Sequence, residues 1–163
     1  MAGWGIASLT LACMLAVLAG CSKSKSNGAP ESLNACDRKL LTPADVAGIL
    51  TDSVTGTKVI PGDAQSCEFV TSSFPGITVS VRPGLGRETV QAWSSGKMPL
   101  SSTPLSGVGE AAVWQPDLHE VIAQKNNLLC DIAARGLARD LAVSMAAAQK
   151  RLGALCNKIF TVF

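Results

Sequence analysis

Apolar and polar positions alternate in short blocks along most of this chain. Within Ile77–Arg82, Ile77, Val79 and Val81 share one side while Thr78, Ser80 and Arg82 share the other. That period of two predicts a half-exposed antiparallel strand. Two strands are predicted before it: Lys58–Ile60, ended by Pro61-Gly62, and Cys67–Thr71, ended by the Phe74-Pro75-Gly76 turn. A second series follows at Ala111–Trp114, Glu120–Gln124 and Leu128–Ala134. The last two are joined at Lys125-Asn126-Asn127, where asparagine tolerates the left-handed backbone of a tight hairpin.

Helical spacing separates these blocks. Leu40, Leu41, Val46, Ile49 and Leu50 fit a short amphipathic helix, with Thr42 as N-cap, Pro43 at its first position and Asp45 in its first turn. Arg87–Trp93 reads as a second short helix with Val90 and Trp93 on its apolar side, followed by a Ser/Gly/Pro-rich loop over residues 94–109. A longer helix is predicted from about Ala138 to Ile159. Its stripe of Leu141, Met145, Ala148, Leu152, Leu155 and Ile159 requires a sheet to cover. The order predicts an α+β fold: an antiparallel sheet of about six strands with helices packed on it. It also suggests a loose βββα duplication, Lys58–Trp93 against Ala111–Leu152.

The first 34 residues follow another pattern. Residues 4–20 carry no charge and end in Leu18-Ala19-Gly20-Cys21, which reads as a lipobox. The apolar stretch is shorter than a membrane span requires and ends in small residues, as a cleavage site does. No Lys or Arg precedes it. Residues 1–20 are thus expected to be a lipoprotein signal peptide, with Cys21 as the lipidated N-terminus. Residues 21–34 are expected to form a flexible tether with a reach of about 20 Å, and residues 35–163 a single domain. Of the 163 residues, removal of 20 leaves 143, with a net charge of +2. So small a charge gives no reason to expect nucleic acid. The expected location is the cell membrane or outer membrane, facing the periplasm or the exterior.

Export makes the later cysteines disulfide candidates. Cys36, Cys67, Cys130 and Cys156 remain after Cys13 leaves with the leader and Cys21 takes the lipid. Four cysteines allow three pairings. Cys130 shares a predicted strand face with Ile132 and Ala134, and Cys156 lies on the helical side of Leu152 and Ile159. A Cys130–Cys156 bridge would pin that helix to that strand, which leaves Cys36–Cys67. No C-x-x-C occurs and His119 is the only histidine, so no metal or cofactor site is expected.

Motifs that imitate catalytic sites lack their context. A Ser-His-Asp or Cys-His site would have to use His119, and no serine sits in a G-x-S-x-G elbow. Ser94-Ser95-Gly96-Lys97 matches S-x-x-K, but Gly96 and Pro99 interrupt the helix that motif requires. Gly107-Val108-Gly109-Glu110-Ala111-Ala112 imitates a dinucleotide fingerprint, yet it leads into a strand where that fingerprint opens a helix. Asp37 with Asp45, and Glu110 with Asp117, are default surface acids. Trp93 and Trp114 are expected in the core.

Three segments carry a resemblance: Cys36-Asp37 with Leu40-Leu41-Thr42-Pro43-Ala44-Asp45-Val46, then Ser66-Cys67-Glu68-Phe69, then Gly107-Val108-Gly109-Glu110-Ala111-Ala112-Val113-Trp114. Together they resemble small secreted actinobacterial lipoproteins and sensor-like domains of unknown function. In these a C-[DE]-x-L opening, a C-x-[WFY] strand and a G-[VL]-G-[DE]-x-A segment recur. Here Arg38 and Lys39 loosen the opening. The resemblance spans roughly residues 36–134, implies that Cys36 pairs with Cys67, and assigns no catalytic residue. The expected function is a lipid-anchored, non-enzymatic binding or accessory module for an envelope protein, a cell-wall component or an apolar ligand. The alternative is a small envelope hydrolase or hydrolase inhibitor using His119 or Ser94.

Overall fold

A computed structural model of the chain describes residues 33–73 and 76–163. The expected signal peptide, Cys21 and the expected tether up to residue 32 lie outside the described residues. The elements run α1 (Pro43–Val46), β1 (Val54–Ile60), β2 (Asp63–Thr71), β3 (Ile77–Pro83), α2 (Gly86–Ser94), β4 (Thr103–Pro104), β5 (Ala111–Gln115), β6 (Glu120–Lys125), β7 (Leu128–Ala134) and α3 (Met145–Phe160). All strand pairs are antiparallel, in one seven-stranded sheet of order β1-β2-β3-β7-β6-β5-β4. The fold is α+β.

Two meanders, β1-β2-β3 and β5-β6-β7, meet at the long β3·β7 pairing, from Ile77 opposite Ala134 to Pro83 opposite Leu128. The strand order therefore has the symmetry that a duplication would leave. The helices do not share it. α3 buries Ala148, Leu152, Cys156 and Ile159 in one cluster with Val79, Val121, Cys130 and Ile132. α2 places Val90 and Trp93 in a second cluster with Val113, Ile122 and Leu129. Strand alternation puts these two sets of residues on opposite faces of the sheet.

Both disulfides form as the layout predicts. Cys36 bridges Cys67 with Cα atoms 5.2 Å apart, and Cys130 bridges Cys156 at 5.8 Å. The second ties α3 to β7, each cysteine being fully buried among the apolar residues of that face.

The sheet has seven strands where about six were expected, because Thr103-Pro104 pairs with Val113 and Trp114 as a short edge. The other differences lie at helix ends. α1 is a single turn, in which the Asp45 carboxylate accepts from the amide and hydroxyl of Thr42 at 2.7 and 2.8 Å. Ile49 and Leu50 lie beyond it and pair with the segment before α3: Ala142 N donates to Ile49 O at 2.9 Å, and Leu50 bridges Leu141. This pairing divides the long helix expected from Ala138. Ala138–Asp140 is a 3-10 turn, Leu141 is extended, and α3 begins at Met145 behind its N-cap Ser144, whose hydroxyl accepts from Ala147 N. No described helix is long and apolar enough to cross a membrane.

Candidate functional site

Beside the cluster under α2, the same sheet face turns polar. Register sets Ser66, Ser80, Asp131, Ile122 and Val113 in one row across five strands. The next row holds Lys58, Glu68, Thr78, Ala133, Glu120 and Gln115. Toward the β1 edge these side chains pair off. Lys58 meets Glu68 at 3.0 Å, and Arg82 meets Asp63 at 2.8 Å while its Nε donates to Ser80 Oγ. Asp63 also accepts from Ser66 Oγ and Gln65 N; these hydrogen bonds, with the charge of Arg82, hold its carboxyl below the usual range.

Toward the centre the pairing is incomplete. Gln115 is fully buried, and neither its Nε2 nor its Oε1 has a hydrogen-bond partner among the described residues. Glu120 stands opposite it at the start of β6 and is 6% exposed. Asp131 lies diagonally across on β7 and is hydrogen-bonded to Glu120. Asp131 keeps a partly exposed edge, yet protein surrounds most of its carboxyl, and its pKa is raised well above the ordinary carboxylate value. Burial is the largest cause, followed by the charge of Glu120 and their hydrogen bond; Arg135 and Arg82 act in the opposite sense. A second carboxyl so placed disfavours the charged form of Asp131.

Asp131 sets a pH dependence. From near 3.8, the ordinary value, up to the raised native value, the folded chain holds a proton that the unfolded chain has lost. Stability therefore falls as pH rises through that window. Asp45 and Asp63 act oppositely. Their pKa values are lowered, Asp45 chiefly by its hydrogen bond with Lys158, so the stability they contribute is lost as pH falls below the ordinary range. Asp131→Asn is expected to raise the melting temperature at pH 7 by about 4 °C, roughly 1 kcal/mol in a domain of this size. At about pH 3.5 the gain should vanish, since both states are then protonated. Melting curves at the two pH values check this; equal gains at both would defeat the ionisation account.

The residues singled out in the sequence do not converge on one site. Ser94 ends α2, and its hydroxyl donates to Val90 O at 2.8 Å. Gly96 N donates to Trp93 O and Lys97 N to Ala92 O, so the S-x-x-K match is the cap that closes this helix. His119 forms the β5–β6 turn at φ +48°, is buried, and leaves Nδ1 without a partner among the described residues. Among the described residues, no three His, Cys, Asp or Glu side chains are grouped so as to hold a metal ion. Asp37 N donates to Asn34 Oδ1, Asp45 pairs with Lys158, and Asp117 accepts from Ser101 Oγ. Trp93 and Trp114 are on opposite faces of the sheet.

The Gly107–Ala112 segment is the turn into β5, held from α3 by Asn157. Asn157 Nδ2 donates to Gly107 O at 2.8 Å, and its Oδ1 accepts from Gly109 N at 2.9 Å. Glu110 accepts from Asn126 N and Gln124 Nε2, which joins this turn to the β6–β7 hairpin. Its carboxyl pKa is lowered, first by the Asn126 bond.

The larger depressions in the surface lie away from the polar rows. One of about 430 Å³ is lined by Pro83, Lys125, Leu128 and Phe160, and one of about 500 Å³ by Pro43, Gly48, Leu50 and Val54. Both open to solvent at strand ends. Among the described residues, the cluster of Gln115, Glu120 and Asp131 keeps unspent hydrogen-bonding capacity at Gln115, and sequence reading did not single it out. Its signal was the polar positions on strands whose same-face neighbours Val113, Ile122 and Leu129 are apolar. No protein-family model matches the chain, and neither a curated protein nor a solved structure matches it.

Proposed function

We propose that the chain is a lipid-anchored cell-envelope protein whose α+β domain acts as a non-enzymatic binding module. The observation that carries this is the half-covered sheet. α3 closes one face, whereas α2 covers β5–β7 on the other, and beside it Lys58 is exposed and Glu68, Thr78 and Arg82 are partly exposed, while Ser66 and Ser80 are buried. Such a face offers donors and acceptors to a polar partner. Support for the envelope location comes from the two disulfides, which persist in oxidising compartments, and from the lipobox ending at Cys21. The filled apolar core on the α3 side favours a surface-docked partner over a carried lipid.

Metabolic palmitate labelling tests the anchor. Wild type is expected to take up label and Cys21→Ala to lose it; equal label in both removes the anchor. His119→Ala tests the non-enzymatic role. An envelope phenotype that survives this change supports a binding module, and one abolished while the fold persists points to a hydrolase.

A further inference from the structure

One end of the sheet gathers apolar side chains that the described residues leave open. β7 begins there and β3 and β6 end there, since Leu128 stands opposite both Pro83 and Lys125. The depression of about 430 Å³ opens at this end, between Pro83, Lys125, Leu128, Phe160 and Phe163. Phe163 is 47% exposed and its neighbour Val162 58%; Leu85, which follows Gly84 at the rim, is 52% exposed. Single exposed apolar residues are ordinary, but three around one depression mark a contact surface.

The chain enters the domain at the same end. Asn34 Nδ2 donates to Ala64 O at 2.7 Å at the start of β2, and Asp63 beside it pairs with Arg82 near the end of β3. Neighbouring strands lie about 4.8 Å apart, so the point of entry is within two strands of the depression. The expected tether from Cys21 reaches only about 20 Å, so an anchor there holds this end against the bilayer. Charge neither drives nor opposes the contact. Arg87 and Glu88 open α2, and Lys125 is offset by Glu110, which is bonded to the β6–β7 hairpin. We infer that Leu85, Val162 and Phe163 form an apolar foot that dips into the interface of a phospholipid bilayer and fixes how the domain stands on it. This rests on the lipid-anchored reading and adds an orientation to it: the strands stand upright, and the polar sheet face is turned sideways toward a partner.

The test places the full chain in phosphatidylcholine vesicles whose acyl chains carry bromine near the headgroup, a contact quencher of indole. Leu85→Trp and Phe163→Trp supply reporters at this end. Leu137→Trp supplies one at the opposite end, where Leu137 is 54% exposed just beyond β7. All three sites are exposed, so the fold accommodates each change, and each variant is read against the unsubstituted chain. About twofold quenching of the first two reporters is expected, with none at the third, since an interfacial side chain sits roughly 5–10 Å into the headgroup and acyl boundary. Molar salt should leave that quenching unchanged. Equal quenching at all three positions, none at any, or loss in salt overturns the docking. So does protection of the first two reporters from aqueous iodide without bromine quenching, which would make a second copy the occupant. Palmitate uptake reports the anchor separately. Label at Cys21 without selective quenching keeps the anchor and removes the docking; selective quenching with equal label in Cys21→Ala keeps the docking and removes the anchor.

Discussion

Replacing Gly109 with alanine is expected to cost about 3 kcal/mol, through strain and crowding together. At φ +55° the residue is left-handed, where a Cβ costs roughly 1 kcal/mol. That Cβ would also lie 2.4 Å from Gln124 O and 3.0 Å from Phe160 Cε2. Strand β6 and helix α3 meet the turn at this point, and relieving such overpacking typically costs another 1–3 kcal/mol or so. Gly107 is the internal control. It is also left-handed, at φ +77°, but nothing lies within 4 Å of a Cβ there. Gly107→Ala should therefore lose only about 1 kcal/mol. Urea denaturation of the two variants separates the terms; equal losses would mean that the close approach to Gln124 contributes nothing.

Removing the Cys130–Cys156 bridge by a double change to alanine is expected to cost about 3.5 kcal/mol, the chain-entropy value for a loop of this length. The two cysteines are 26 residues apart and fully buried where α3 crosses the sheet. The lost sulfur contacts add to that figure, since both cysteines belong to the buried apolar cluster on that face. The Cys36–Cys67 bridge closes a comparable loop, 31 residues apart, but Cys36 is only partly buried. Its removal should be the milder of the two. Equilibrium unfolding of both double variants, with mass mapping of a non-reduced digest to verify each remaining bridge, decides the order. A larger loss at Cys36–Cys67 would show that the N-terminal edge, not the helix on the sheet, limits stability.

Legibility in the sequence followed the range of the interactions involved. β3, β6 and β7 were readable because period-two patterning and the turns around them are local. The Cys130–Cys156 bridge followed from the faces that β7 and α3 present, and Cys36–Cys67 was the pairing that remained. β1 and β2 began earlier than the pattern indicated, since Val54-Thr55-Gly56-Thr57 and Asp63-Ala64-Gln65-Ser66 contain no alternating apolar residues. Their pairing is instead held by each other and by the Asp63 hydrogen bonds. Pro104 hid β4, because proline in a short run argues against a strand away from an edge. Leu141 fits the helical stripe by spacing, yet its backbone is taken by Leu50, about ninety residues earlier in the chain, and no local rule registers that competition. The polar cluster was hidden for a related reason. Alternation shows that Gln115, Glu120 and Asp131 share a face, but only the position of α2 and its neighbouring strands decides that this face is buried at one end and open at the other.

The Cys36–Cys67 bridge also determines how the domain bears load. A pull along the N-terminal segment reaches Cys36 before α1 or β1, and the bridge passes it directly into β2. From there it spreads through the β2·β3 and β3·β7 ladders. The edge strand β1 and the single turn of α1 lie between the two cysteines, inside a covalent loop, and so outside the line of force. Tension applied at that end is then borne along the interior strands, with the β1 edge outside its path.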